Sequence, residues 1–319
     1  MVSAAESFSV GVSDMAAALR LFRDEMKLTV EADYPASSSL LAAWKLAPGV
    51  SARIVELSYT GYPIGRLRLV EYTPSAMTRV RVHSGAGPHD GAVDIGPKAI
   101  DFYVADPIRP VFERITALGY PVRSEPVKHS VGETVSEEFV FWGPDGVPLL
   151  FMVGHVHGPE MMRPDLRPDP FSEVATVSVI GGATDRTRDF SEGILGLVPI
   201  VAEDTGADDL ARANELTGVP EGTGISWIVY GASNEASGKI LVLNFGGSEG
   251  KRLSGRMRPG HLGFSLITHR TEDIDALYRK LVDGGWAVMT APTEVEANGT
   301  TSRRLLAHGP NEELFEIVQ

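Results

Sequence analysis

The chain has 319 residues, 43% hydrophobic and 22% charged, with a net charge of −13 and no cysteine. Length and balance describe a folded globular protein of about two domains. The acidic character argues against nucleic acid or an anionic membrane as partner, and the missing cysteine removes disulfides, thiolate zinc sites and a cysteine nucleophile together. No basic region leads into a long apolar run, and no stretch approaches the roughly 18 apolar residues of a membrane span, so a cytoplasmic location is expected.

Residues 7–12 (SFSVGV) alternate as a strand, Asp14 can cap a helix over 16–26, and a strand follows at 28–34. A short helix at 40–46 ends at Pro48-Gly49, and strands at 53–59 and 66–72 complete the first unit. After a connector at 76–97 the order begins again. Residues 99–104 (AIDFYV) alternate, a helix runs from Asp106-Pro107 to Leu118, and Gly119 stops it. Strands are predicted at 121–123, 137–142 and 148–153, the last two joined by a Pro-Asp-Gly turn. The aperiodic, proline-rich run 155–170 marks a boundary.

The second half repeats the first. It predicts a strand at 174–180, a helix at 184–195 that Gly196 can close, an inserted helix at 208–217, and strands at 226–230 and 239–245. A fourth unit runs through a strand at 261–267, a helix at 271–282 and strands at 286–289, 301–307 and 313–318. The duplication is visible in letters: LAAWKLAPGV against LARANELTGV, RPGHLGFSLI against GPKAIDFYVA, and GPNEELFEIV against GPDGVPLLFMV. The domains expected are therefore 1–157 and 172–319, each a pair of modules, with 158–171 as the linker.

Four βαβββ modules, with an ALGY or DGGW break after each long helix and a G-P-D/N turn into the last strand, resemble the vicinal oxygen chelate superfamily of glyoxalases, extradiol dioxygenases and bleomycin-binding proteins. The resemblance implies an α+β fold in which the modules form two cup-shaped mixed sheets with the helices outside. It also implies a small-molecule substrate with adjacent oxygens, lyase or isomerase chemistry, and a homodimer as an admissible assembly. One divalent metal (Fe, Mn, Zn, Ni or Mg) would be held by residues of the first and last strands, or the cavity would be metal-free.

Carried over by residue, the fourth module supplies His261 at the opening of its first strand and Glu316 in its last. The others offer Ser7 and Arg68, Ala99 and Leu150, and Ala175 or Thr176 with Val242. His261 and Glu316 are thus the metal ligands expected, half of a complete set. The competing reading pairs Glu316 with Arg68 as a salt bridge, provided the first and fourth modules share a cavity. Without metal, His261, Glu316 and Arg68 would serve as base, acid and anion clamp.

Alternation turns Asp101 and Tyr103 into the cup as proton carriers, and Ser7, Ser9 and Thr176 as substrate-contacting residues. A non-catalytic binding protein needs an aromatic-lined cleft instead, for which Trp44, Trp142, Trp227 and Trp286 are available. A ring-cleaving dioxygenase would require a second histidine. GGSEG at 246–250 lacks the following helix of a nucleophile elbow. His155 and His157 read as a solvated linker pair, and His83 and His89 as connector loop.

Overall fold

The computed structural model describes the chain except residues 60–61, 77, 83–90, 132–133, 157–170, 182–183, 205–206, 233–234 and 247–249. The first module comprises β1 (Ser7–Val12), α1 (Met15–Leu19), β2 (Thr29–Pro35), α2 (Ser38–Ala43), β3 (Ser51–Ser58) and β4 (Arg66–Thr73). The second comprises β5 (Gly96–Val104), α3 (Ile108–Ala117), β6 (Val127–Val131), β7 (Thr134–Trp142) and β8 (Pro148–Val156). The third repeats the first, with β9 (Phe171–Ile180), α4 (Thr184–Arg188), β10 (Val198–Asp204), α5 (Ala207–Thr217), β11 (Gly224–Gly231) and β12 (Lys239–Gly246). The fourth repeats the second, with β13 (Gly263–Arg270), α6 (Ile274–Asp283), β14 (Val288–Ala297), β15 (Thr300–His308) and β16 (Leu314–Val318).

Local chemistry explains the helix ends. Asp14 accepts from the Ala17 amide and Asp273 from the Ala276 amide, so both helices begin on a capping carboxylate. α1 and α4 each continue into a π-helical segment, Arg20–Glu25 and Asp189–Leu195, at matching places in their modules. Gly196 ends the second of these at φ +73°, a conformation that favours glycine.

Three sequence expectations change. Residues 121–123 make only a bridge from Val122 to Phe141, and the strand forms later, at β6. β10 was not anticipated. The strand expected at 261–267 starts at Gly263, so His261 precedes it.

The strands form two eight-stranded sheets, ordered β14-β15-β16-β13-β1-β4-β3-β2 and β10-β11-β12-β9-β5-β8-β7-β6. The first and fourth modules therefore share one sheet, the second and third the other, and each sheet draws on both sides of the linker. In each, two first strands pair antiparallel at the centre and each runs parallel to the last strand of its own module. The centre of each cup is thus built from first and last strands.

Four equivalent neighbour pairs follow from the registers: Ser9 beside Arg68, Asp101 beside Leu150, Ser178 beside Leu241, and Thr268 beside Glu316. A continuous apolar core joins the sheets through their helices. Phe22 packs on Phe102 across the first and second modules, and Phe190 on Phe315 across the third and fourth. Each such fully buried ring is worth roughly 1.5–3 kcal/mol over an exposed one.

Candidate functional site

In the first sheet Glu316 is fully buried on β16. Its Oε2 accepts from Arg68 Nη1 at 2.9 Å and Thr268 Oγ1 at 3.1 Å and pairs ionically with Arg304 Nη1 at 3.1 Å, and its Oε1 accepts from the Trp44 indole at 3.0 Å. Arg68 Nη2 donates to Ser7 Oγ at 3.1 Å, and its Nε lies 3.7 Å from Glu56, which also accepts from the Tyr34 hydroxyl. Against the desolvation that burial imposes, Arg304 and Arg68 hold the Glu316 carboxyl at about 2. The ion pair expected for a shared first and fourth module is present, and both carboxylate oxygens are taken.

His261 does not join this cluster. It lies ahead of β13 with Nδ1 2.9 Å from the Arg256 carbonyl, while the residue beside Glu316 is Thr268. Gly263 to Thr268 alone spans about 16 Å at the ordinary strand rise. Backbone, not side chain, puts residue 261 against the sheet: a Cβ on Gly11 would meet the His261 carbonyl oxygen at 1.9 Å. Ser9 is buried with an Oγ that has no hydrogen-bond partner among the described residues.

The second sheet encloses a cavity of about 180 Å3. Its wall is largely apolar, with Leu150, Met152, Leu241, Leu243 and Trp227 among the lining side chains. Into it point Asp101 and Tyr103 from β5, Thr176 and Ser178 from β9, Ser136 and Glu138 from β7, and His129 from β6. α5 covers one side through Ala213, Leu216 and Thr217.

Asp101 is 2% exposed. Its Oδ2 accepts from Ser178 Oγ at 2.8 Å, whereas Oδ1 has no hydrogen-bond partner among the described residues. Burial drives its pKa up from 3.8 to about 8; the Ser178 hydroxyl opposes this and the Glu138 charge adds to it. Glu138 behaves oppositely. Against desolvation, His129, with Nε2 3.4 Å from Oε1, and the Ser136 hydroxyl hold it below the usual carboxylate range. Burial, with Glu138 and Asp101 nearby, raises the Tyr103 phenol.

One open cup and one filled cup follow from equivalent positions. In the repeat LAAWKLAPGV against LARANELTGV, Trp44 corresponds to Ala213. The indole that reaches Glu316 in the first sheet is replaced in the second by a methyl group that borders the cavity. Likewise the charged Arg68 and Glu316 correspond to Leu241 and Leu150.

These donor sets do not fit a divalent metal. The first sheet offers one carboxylate already neutralised by two guanidinium groups. The second offers Asp101 and Ser178 beside two leucines. Among the described residues no three His, Asp or Glu side chains are grouped to hold an ion. The leucine positions also refine the third module: Leu241, not Val242, lines the cavity, and Thr176, not Ala175, does so from β9.

Among the other motifs, His155 sits on β8 with Nε2 3.2 Å from Glu137 rather than in a linker. His157, His83, His89 and most of GGSEG lie outside the described residues. His129, Glu138 and Ser178 were missed, whereas Trp227, one of the four tryptophans available for a cleft, does line the cavity. Alternation along β7 would have found Glu138, because it shares a face with Ser136 and Val140.

The model of the Glyoxalase/Bleomycin resistance protein/Dioxygenase superfamily matches residues 173–317. That segment matches the superfamily by sequence, and the whole chain is similar in fold to a solved glyoxalase I. Glyoxalase I from Zea mays is similar over 100% of this chain and 92% of its own, at 12% identity and a TM-score of 0.64. A putative dioxygenase from Bacillus subtilis subsp. subtilis str. 168 is similar over 99% and 85%, at 14% identity and a TM-score of 0.60. At such identities the likeness is one of fold. No curated protein matches the sequence. Among the described residues no helix is long and apolar enough to cross a membrane.

Proposed function

We propose that the chain is a metal-independent enzyme of the vicinal oxygen chelate type, in which the second-sheet cavity binds a small organic molecule and Asp101 exchanges a proton with it. The single observation that carries this is a buried aspartate with one unpartnered oxygen in an apolar cavity. With a pKa of about 8, Asp101 is largely protonated at neutral pH and easily returns to the carboxylate, which suits a general acid and base. Glu138, kept ionised by His129, holds the opposite protonation state in the same cavity. Two carboxyls pushed apart in this way are what proton transfer requires.

The chemistry is an isomerisation or elimination at a carbon beside a carbonyl group. The Asp101 carboxylate takes the proton from that carbon, and the developing enolate oxygen is hydrogen-bonded by the Tyr103 phenol, whose raised pKa keeps it protonated. Return of the proton at another carbon gives an isomer; departure of a β-substituent gives a lyase product. The two side chains project from the same face of β5, about 7 Å apart along the strand. His261, Glu316 and Arg68 are not part of this proposal, because Glu316 and Arg68 satisfy each other and His261 lies apart from them. Ring cleavage by iron is not proposed either, because among the described residues neither cup offers two histidines with a carboxylate.

Turnover of a carbonyl-compound panel by the wild type, lost in Asp101→Asn while ligand binding persists, supports the proposal. Unchanged turnover in Asp101→Asn overturns it. A second reading, a non-catalytic binding protein, draws on Trp227 and the leucines that stand at both last-strand positions. Saturable binding without any chemical change across the panel would select it.

A further inference from the structure

We propose that the ligand of the second-sheet cavity is an organic anion, its carboxylate held by the Lys98 ammonium near the end of α5 and its apolar body laid toward Asp101. This rests on the cavity reading above and specifies the class of molecule it takes.

The first observation is a bulge. Pro97 pairs with Val179 and Ala99 with Ser178, so at Lys98 β5 spends a residue that β9 does not match. Strict alternation would turn Lys98 to the face opposite Ala99, but the bulge re-aims it, and it lines the cavity beside Ala99 and Asp101. Its Nζ donates to the Ala92 and Thr217 carbonyls, both at 2.9 Å. Burial, with Arg81 and Arg123 nearby, pushes the Lys98 pKa well below its usual value; an anion beside it favours the ammonium form, whose third N–H donor is then left for the ligand.

The second observation is charge. The charged groups that act on Lys98 are Arg81 and Arg123, both positive and both in the cavity wall. Arg81 spends its guanidinium on the carbonyls of Gly91, Asp94, Gly96 and Pro97. Among the described residues neither Arg81 nor Lys98 forms an ion pair with a carboxylate; Asp94 acts on Arg81 only through space. Removing such charge from water without a counter-ion is costly, and an anionic ligand supplies the missing partner.

The third observation is polarity along the cavity. Glu138, ionised, stands on the far side with Asp101 and Tyr103, and it repels an anion. The carboxylate is therefore directed to Lys98, and the reacting end of the molecule to Asp101. Lys98 and Asp101 are about 10 Å apart along the strand, which sets the ligand's reach.

Lys98 also ties α5 to the connector, so a purely structural role must be separable. The probes are phenylacetate, 3-phenylpropanoate and octanoate with their primary amides, measured by ligand-observed NMR and by tryptophan fluorescence. The proposal expects at least one acid to bind about tenfold or more tighter than its amide, the worth of a charged hydrogen bond. Lys98→Met should bring acid and amide together, and Lys98→Arg should keep them apart. Equal binding of acids and amides by the wild type overturns the proposal and leaves the cavity reading standing. So does an equal loss of both in Lys98→Met, or a preference for acids that survives it. Binding of neither series overturns this proposal and the cavity reading together. The wild-type comparison stands even if Lys98→Met does not fold.

Discussion

Replacing Asp101 by asparagine should stabilise the protein, and increasingly so as the pH rises. The folded chain keeps a proton on Asp101 up to about pH 8, whereas the unfolded chain releases it near the ordinary value of 3.8. Between those values the native state binds more protons than the unfolded state, so stability falls with rising pH and levels off above about pH 8. At about 1.4 kcal/mol per unit, the loss by pH 7 reaches a ceiling of about 4 kcal/mol. Asparagine has the same shape, keeps an acceptor for Ser178 and carries no charge. Urea unfolding of both proteins near pH 5 and near pH 8 therefore reads the effect directly. Wild type should lose several kcal/mol more than the variant across that interval. Parallel pH dependence in the two proteins would refute the reasoning, because it would mean that the Asp101 carboxyl titrates normally in its cavity. A carboxyl kept at such a cost to stability is the mark of a working group rather than a packing one.

Glu316→Gln leaves Arg68 and Arg304 buried without their counter-charge and should cost about 3–5 kcal/mol in urea unfolding, with ligand binding in the second sheet unaffected. Glu316 should also dominate acid lability: its contribution is complete above the ordinary value of 4.5 and is lost as the pH falls toward about 2. Ala213→Trp reproduces in the second sheet the indole that fills the first, and should abolish ligand binding while circular dichroism and cooperative unfolding persist. Ser178→Ala removes the hydrogen bond that restrains Asp101, so the pH midpoint of turnover should move upward; a fixed or lowered midpoint would count against Asp101 as the titrating group.

Much of this was legible in the sequence, for identifiable reasons. Period-two alternation placed Asp101 and Tyr103 on the concave face of β5, and the bulge at Lys98 lies before them, where it does not disturb that face. The duplication was written in residues that pack or turn, such as the G-P-D/N turns, which each copy needs equally. Module pairing was hidden, because a first strand reads the same whichever partner lies beside it. Only coordinates show β1 against β13 and β5 against β9. His261 misled because RPGHLGFSLI, matched by letters to GPKAIDFYVA, sets it on Ala99 and Gly263 on Asp101, whereas the strand registers make Thr268 the equivalent of Asp101 and leave His261 ahead of β13. Glu138 and His129 carried no motif. Their significance comes from a diagonal contact across the β6–β7 pair, where Val127 stands opposite Glu138 and His129 opposite Ser136.

The central claim is that the second sheet, not the Glu316 cluster of the first, holds the ligand. A crystal structure of the protein with the tightest-binding member of the carboxylate panel tests it most directly. The account predicts the ligand against Leu150 and Leu241, with its carboxylate within hydrogen-bond distance of Lys98 Nζ and its apolar end toward Asp101. A ligand bound beside Arg68 and Glu316, with the Asp101 cavity empty, would contradict it.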